Sequence, residues 1–225
     1  MLGTAANVVA IFAGGAMGWA TGALLPERLR KTLVAAMGLV VAVMGIDMAL
    51  RWENVALQVI FAVVVGGALG EWLDIERRLN RWGEKLQEVL GGRIQGDVGR
   101  GFVYATLVYC VGPMAILGSL EGGLHGNHDI LFAKAAIDGI MAMAFAATLG
   151  PGVLLSGCSV LLYQGLLTIG ARYASAAVAL AGAQLTSTGG LLILGLGIKI
   201  LELKDIRVAN LLPALPVAAA LAWLM

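Results

Sequence analysis

Long apolar segments, each close to twenty residues, alternate with short polar segments along the whole chain. A helix needs about 20 residues to cross the hydrocarbon core of a bilayer, which is about 30 Å thick, because each residue adds about 1.5 Å. The pattern therefore predicts an all-helical bundle of seven or eight spanning helices. The predicted spans are 2–24, 32–50, 55–73, 101–120, 132–149, 153–170, 175–203 and 208–225. Gly150-Pro151-Gly152 is either a loop between two spans or a break inside one span. The first alternative gives eight spans and the second gives seven.

One segment between the third and fourth spans has a different pattern. Its apolar residues recur every three or four positions, with charged residues such as Glu76 and Arg77 on the other face. The apolar residues are Ile75, Leu79, Trp82, Leu86 and Val89. This spacing predicts an amphipathic helix over 75–91 that lies on the membrane surface. The alternative is a helix that docks another protein.

Composition supports a membrane protein and weakens other classes. Hydrophobic residues make up 60% of the chain and charged residues only 13%, which excludes an ordinary soluble domain. The first span starts at Met1 without a basic leading region, so we expect no removable signal peptide. Basic residues are spread over several loops, so no nucleic-acid partner is expected. Cys110 and Cys158 lack metal or redox spacing and are interpreted as small apolar residues.

The distribution of basic residues predicts an orientation. Twelve of the 15 lysines and arginines fall in loops on one side of the eight-span arrangement, and only Arg51, Lys134 and Arg172 fall on the other. Short loops rich in Lys and Arg stay in the cytoplasm. The sequence therefore predicts that both termini lie outside the cytoplasm, with the bilayer as the first partner of the protein.

A weak internal similarity predicts an inverted repeat. Residues 38–46 match residues 190–198 at a constant offset, which also places Thr4 and Asn7 opposite Ser156 and Ser159. If spans one to three correspond to spans six to eight, the two copies have opposite topology, as in many secondary transporters. The chain would then be one transmembrane domain, 1–225. Its parts would be a first repeat (1–73), a cytoplasmic helix and loop (74–100), central spans (101–149) and a second repeat (153–225).

Four strings together resemble a known family. They are Gly-Gly-Ala-Leu-Gly-Glu at 66–71 followed by Asp74-Ile75-Glu76, Cys-Val-Gly-Pro-Met-Ala-Ile-Leu-Gly at 110–118, Lys134-Ala135 with Asp138, and Ala-Asn-Leu-Leu-Pro-Ala-Leu at 209–215. In order and spacing the chain resembles the bacterial membrane family called domain of unknown function 554, almost from end to end. The resemblance implies an inner-membrane protein of seven or eight spans, and it transfers no catalytic residue.

Asp138 and Lys134 are charged residues inside the predicted span 132–149, whereas Asp47 and Lys199, near the ends of their spans, are interpreted as boundary anchors. Their spacing of four puts both on one helix face. A charge at the centre of a membrane helix costs about 2.5–3.5 kcal/mol on insertion scales and often marks an ion pathway, a relay or a paired group. We interpret them as ion-binding or substrate-binding residues. The alternative is a structural pair that reaches the outer interface.

Prolines supply a second indication of a site. Pro113, Pro151 and Pro213 break helices and free backbone carbonyls, which membranes tolerate only where protein or water satisfies them. Uncharged polar residues lie near these breaks or opposite them in the repeat. We predict as ligands Asn7, Ser156, Ser159, Gln164 and Asn210. Kinks that serve only packing are the competing explanation.

Other functions have little support in the sequence. There is no HExxH, no GxSxG and no phosphate-binding loop, so we expect neither an enzyme nor a cofactor. His125 and His128 are the only histidines, and no metal site is predicted. The glycine pairs Gly14/Gly18 and Gly66/Gly70 suit close helix packing within the chain, with a homodimer contact as the alternative.

These features predict a transporter or channel for a small ion or polar solute. The alternative is a scaffold or sensor that does not transport and that binds a partner through the helix 75–91.

Overall fold

The computed structural model describes residues 1–22, 24–91 and 98–224. Within these ranges the side chains of residues 83, 86, 87, 89–91, 113 and 172–180 are not described. The described chain is helical and contains no strand. In chain order its elements are α1 (Leu2–Gly22), α2 (Glu27–Ala49), α3 (Ala56–Leu73), α4 (Ile75–Gly91), α5 (Val98–Val111), α6 (Pro113–Leu124), α7 (Asp129–Leu149), α8 (Gly152–Leu180), α9 (Gly182–Ile200), a 3₁₀ turn (Val208–Leu211) and α10 (Ala214–Leu224).

The predicted class, a polytopic helical membrane protein, is confirmed. Within the described residues six helices are long and apolar enough to cross a bilayer, and a seventh span results if α5 and α6 are counted together. The six are α1, α2, α3, α7, α9 and the Gly152–Ala171 part of α8.

The predicted span 101–120 is not one straight helix. Gly112, with φ −67° and ψ 146°, is extended, so α5 ends at Val111 and α6 starts at Pro113. The residue before a proline disfavours the helical conformation, because the proline ring meets its backbone. The two helices are bent by 58° at this point.

Two predicted boundaries in the second half of the chain also differ. The stretch predicted as an eighth span, 208–225, forms a 3₁₀ turn and the 11-residue helix α10, which is shorter than a full span. The division predicted between 170 and 175 lies instead at Ala181, because α8 continues to Leu180. Gly150 and Pro151 form a loop between two separate helices, with Gly150 at φ 92°.

Glycines bring α1 and α7 into close parallel contact. A β-carbon on Gly14 would meet the carbonyl of Gly139, and one on Gly18 would meet the carbonyl of Met143. A step of four residues toward the C-terminus of α1 therefore corresponds to a step of four residues toward the C-terminus of α7, so the two helices are parallel. The predicted glycine contact is made within the chain, against α7.

The bundle has two ends of different character. We call the basic end the one where Arg30, Arg100 and Lys31 line a cleft between the ends of α2, α5, α7 and α9. At the opposite end, Asp47 lies in the last turn of α2 and Arg51 just after this helix, near the start of α7.

A helix, α4, occupies the predicted range 75–91 at the basic end. Ile75 and Leu79 pack against the apolar core, whereas Trp82 is exposed. The remaining apolar residues of the predicted stripe, Leu86 and Val89, have side chains outside the described set. The position of α4 relative to a bilayer surface stays a prediction.

Candidate functional site

Lys134 and Asp138 form an ion pair inside the bundle. The ammonium nitrogen of Lys134 lies 2.5 Å from Oδ2 of Asp138, one helical turn along α7. The residues are only 5% and 4% exposed. The bundle therefore covers both side chains, and the depth of the pair relative to the membrane interface stays a prediction.

Asn7 completes this arrangement from another helix. Its amide nitrogen donates a hydrogen bond of 3.0 Å to the same Oδ2 of Asp138. The side chain reaches α7 because Gly14 and Gly18 let the two backbones approach. The amide oxygen of Asn7 is buried and has no hydrogen-bond partner. Of the seven predicted ligands, the structure joins Asn7, Lys134 and Asp138 directly.

Tyr109 belongs to the same region, although it was not among the predicted ligands. Its ring is fully buried on α5, with the ammonium of Lys134 5.9 Å from the ring centre. This geometry is a cation–π contact, which adds to the stability of a desolvated cation. Its hydroxyl has no hydrogen-bond partner. The only signal was its position four residues before Pro113.

A cavity of about 620 Å³ opens beside the pair. Parts of α2, α5, α6, α7 and α9 line it, and Gly112 and Met114 from the α5–α6 break form one side. Lys134 and Asp138 are among its lining residues, with Thr186 from α9. The helix break therefore shapes a cavity that contains the buried charges.

The mouth of this cavity carries a second ion pair. Arg51 donates to Asp47 over 3.1 Å, and both side chains are about two-thirds exposed. Sequence reasoning had interpreted Asp47 as a boundary anchor. The structure places it with Arg51 on the wall of the cavity, at the opposite end of the bundle.

The predicted ligands on α8 lie apart from this cavity. The hydroxyl of Ser156 donates to the carbonyl of Val153 over 2.6 Å, and Ser159 is half-buried. Gln164 is fully buried, and neither amide atom has a hydrogen-bond partner. One turn further along α8, Thr168 meets Thr4 of α1 at 3.5 Å. Gln164 is thus an unsatisfied polar group within the bundle, outside the lining of the cavity.

Asn210 belongs to a different group of residues, at the basic end. Its amide oxygen accepts from the backbone N–H of Glu76, and its amide nitrogen donates to Glu71 over 2.7 Å. Asn210 therefore joins the 3₁₀ turn to the start of α4. Its hydrogen-bond partners do not include Lys134 or Asp138, so Asn210 does not share one site with this pair.

Glu76 is the centre of this basic-end cluster, which comprises Glu71, Glu76, Lys199, Asp205, Arg207 and Asn210. Glu76 is 6% exposed and accepts from the ammonium of Lys199 at 2.5 Å and from the backbone N–H of Ala209 at 2.8 Å. Arg207 pairs with Glu71 in the same cluster. The sequence pattern had placed Glu76 on the polar face of a surface helix, and its burial corrects that placement.

The other two predicted breaks have different surroundings. Pro151 lies in the α7–α8 loop near the basic end, where Gly152 touches the backbone of Val98. Pro213 separates the 3₁₀ turn from α10. Only the break at Pro113 borders the cavity, through its neighbours Gly112 and Met114.

The described fold and these buried polar groups define an integral membrane protein built from several apolar helices. The chain matches the family described as "Protein of unknown function (DUF554)" over residues 2–223, and it belongs to that family. It is 29% identical over 219 residues to the uncharacterized membrane protein YdfK of Bacillus subtilis (strain 168), covering 96% of this chain and 93% of the relative. It is 30% identical over 233 residues to the uncharacterized protein YqgA of Escherichia coli (strain K12), covering 99% and 97%. No solved structure matches the chain.

Proposed function

We propose that this protein transports a small ion or polar solute across the bacterial inner membrane. The observation that carries the proposal is the cavity that contains the buried Lys134–Asp138 pair. Charged groups are costly inside a membrane and persist mainly where they pair or handle a solute. A bundle that served only as a scaffold would have no need for a cavity at its charged residues.

The size of the cavity supports solute binding. Its volume of about 620 Å³ is within the range of about 300–1,000 Å³ typical of small-molecule sites. Its apolar walls and few polar groups also match such sites. Because the cavity opens at the end that carries Asp47 and Arg51, a solute would enter from that side.

The contact between α2 and α9 supports the inverted repeat. The α2 residues at closest approach are Gly38, Ala42, Gly45 and Ala49. The residues that meet them lie on α9 and at its C-cap, and they are Leu201, Gly197, Leu194 and Gly190. Adding 152 to the number of each residue in the first set gives the second set, as in Gly38 and Gly190. Two helices related by a two-fold axis would contact each other through equivalent positions, as these two helices do. We call this contact the α2–α9 seam.

The seam also relates the proposed repeat to the cavity. Its midpoint falls between Val43 and Met44, and both residues line the cavity. The other corresponding helices also touch, since Gly15 of α1 meets Leu154 of α8 and Gly66 of α3 meets Ala214 of α10. Inverted-repeat transporters bind their solutes near the interface of the repeats. This correspondence favours a carrier.

The basic-end cluster joins elements that a carrier would have to separate in order to open at that end. Lys199 at the end of α9, Glu76 at the start of α4 and Asn210 in the 3₁₀ turn are joined by ion pairs and hydrogen bonds. We propose that this cluster holds the basic, cytoplasmic end shut while the cavity is open at the other end. Alternating access would require these contacts to break when the cavity closes.

The scaffold alternative rests on α4. Trp82 is 68% exposed on this helix and offers an apolar contact to a partner or a bilayer. However, the first turn of α4 is used inside the protein, because Ile75 packs on the core and Glu76 binds Lys199. We therefore favour transport, without a catalytic activity or cofactor, and we treat α4 as part of the closed end.

Uptake into proteoliposomes tests the proposal. The protein is prepared with Cys110 and Cys158 replaced by alanine and with Thr186→Cys in the cavity wall, and labelled cations, anions and small organic solutes are offered. We expect uptake of at least one class, and we expect a water-soluble thiol reagent to block it. Leu162→Cys, exposed on α8 and outside the cavity, is the matched control that should not respond. No uptake, or equal uptake after modification of Thr186→Cys, would reject transport through this cavity.

A further inference from the structure

We infer that the ligand of the cavity is a small zwitterion with an apolar body, such as an α-amino acid with an aliphatic side chain. This inference rests on the proposed function and specifies its substrate class. It follows from four properties of the cavity: its volume, its balance of charges, the unused hydrogen-bonding capacity of Lys134 and Asp138, and its methionine-lined wall.

The volume argues against a bare ion. A water molecule occupies about 30 Å³ of liquid, so a cavity of about 620 Å³ is far larger than a dehydrated ion. Within the described residues, no group of three or more His, Cys, Asp or Glu side chains is placed to hold a metal ion. The space fits an organic molecule.

The charges argue against a ligand with a net charge. The charged residues of the cavity form two neutral pairs, the buried Lys134 and Asp138 and the exposed Asp47 and Arg51. A buried charge is costly unless an opposite charge compensates it. Beside the buried pair, a net cation or anion would add a charge without compensation, whereas a zwitterion adds one charge of each sign.

The hydrogen bonds of the Lys134–Asp138 pair leave a place for each end of a zwitterion. Asn7 and Lys134 both donate to Oδ2 of Asp138, so Oδ1 can accept from a ligand ammonium. An ammonium has three N–H donors, and Lys134 directs one of them to Asp138, which leaves donors for a ligand carboxylate or phosphate.

The remaining wall suits an apolar body. Four methionines line it: Met44, Met48, Met114 and Met141. Methionine is flexible and polarizable, so these side chains can adapt to aliphatic groups of different shape. A cationic group and an anionic group in one molecule occur in free amino acids and in the headgroup of phosphatidylethanolamine, so the experiment includes both sources.

Calorimetric titration of the purified protein in detergent micelles compares four probes that share the isobutyl group of leucine. Leucine is the zwitterion, isopentylamine the cation, 4-methylpentanoate the anion and 3-methylbutanol the neutral compound. Dihexanoyl-phosphatidylethanolamine tests the lipid source. We expect one zwitterion to bind at least tenfold more tightly than the cation, anion and alcohol. The variant Lys134→Gln/Asp138→Asn should lose at least tenfold of that affinity and keep its affinity for the alcohol.

A matched control is available in the pair Glu27 and Lys31, which has the same spacing of four but is exposed and outside the cavity. Glu27→Gln/Lys31→Gln should bind every probe as the natural protein does. Equal or tighter binding of the amine or the carboxylate would overturn the zwitterion inference, while uptake of that solute would leave transport intact. Absence of binding by all probes would overturn the inference, and the uptake assay would then decide the proposed function separately.

Discussion

Gly45 of α2 and Gly190 of α9 face each other across the α2–α9 seam. A β-carbon on Gly45 would lie 2.9 Å from the carbonyl oxygen of Gly190, and one on Gly190 would lie 2.8 Å from the carbonyl oxygen of Gly45. Real β-carbons essentially never come this close to another atom. The seam therefore has no room for a side chain at either position.

The first prediction is that Gly45→Ala and Gly190→Ala each destabilise the protein. Overpacking costs about 1–3 kcal/mol, more than the roughly 0.5–1 kcal/mol that alanine gains over glycine in a helix. Thermal unfolding in detergent measures the change. Gly170→Ala in α8 is the control, because its β-carbon would meet nothing within 4 Å. Equal unfolding temperatures for the natural protein, Gly45→Ala and Gly190→Ala would contradict this close packing.

The second prediction concerns the Lys134–Asp138 pair. Asp138→Asn leaves the ammonium of Lys134 buried without its counter-charge, which costs about 3–5 kcal/mol in comparable buried pairs. Adding Lys134→Met removes that charge, so the double variant should recover much of the loss. Denaturant unfolding in micelles of the two single variants and the double variant measures the coupling. If the losses in the free energy of unfolding of the two single variants simply add in the double variant, the pair is not held in the buried geometry described.

The apolar pattern alone was sufficient to predict the spanning helices, because the length that crosses a bilayer is fixed by the rise of the helix. The bend at Gly112 also follows from local chemistry, since a residue before proline avoids the helical conformation. Lys134 and Asp138 could be paired from their spacing. Asn7 could be selected as a ligand, but not assigned to Asp138, because that contact joins two helices 131 residues apart.

The side chains that the sequence misplaced or did not select depend on contacts between distant parts of the chain. Glu76 has the helical position of a solvent-facing residue, yet Lys199 and the backbone of Ala209 surround it. Asn210 resembled a ligand within a span, but a 3₁₀ turn holds it at the basic end. Tyr109 has no local pattern that distinguishes it from other aromatic residues. Periodicity fixes the face of a helix, and it does not identify the neighbour that packs there.

The third prediction compares two carboxylates that bind the same lysine. Lys199 contacts buried Glu76 at 2.5 Å and the exposed Asp205 at 3.1 Å. Glu76→Gln should destabilise the protein by about 1–3 kcal/mol, because it leaves Lys199 and the N–H of Ala209 with a weaker partner. Asp205→Asn should change stability by at most about 1 kcal/mol, since exposed ion pairs contribute little. Thermal unfolding in micelles distinguishes them, and equal losses would contradict a central role for Glu76.

The fourth prediction fixes the orientation of the molecule in the membrane. Lys31 lies at the basic end and Arg51 at the opposite end, and both side chains are well exposed. Since short basic loops stay in the cytoplasm, a thiol reagent that cannot cross membranes should label Arg51→Cys in intact cells. Lys31→Cys should react only after the cells are made permeable. Both substitutions are made in a chain that has Cys110 and Cys158 replaced by alanine, so that only the new thiol reacts. The cavity mouth shares its end with Arg51, so labelling of Lys31→Cys in intact cells would mean that the cavity opens toward the cytoplasm, and the direction proposed for solute entry would be reversed.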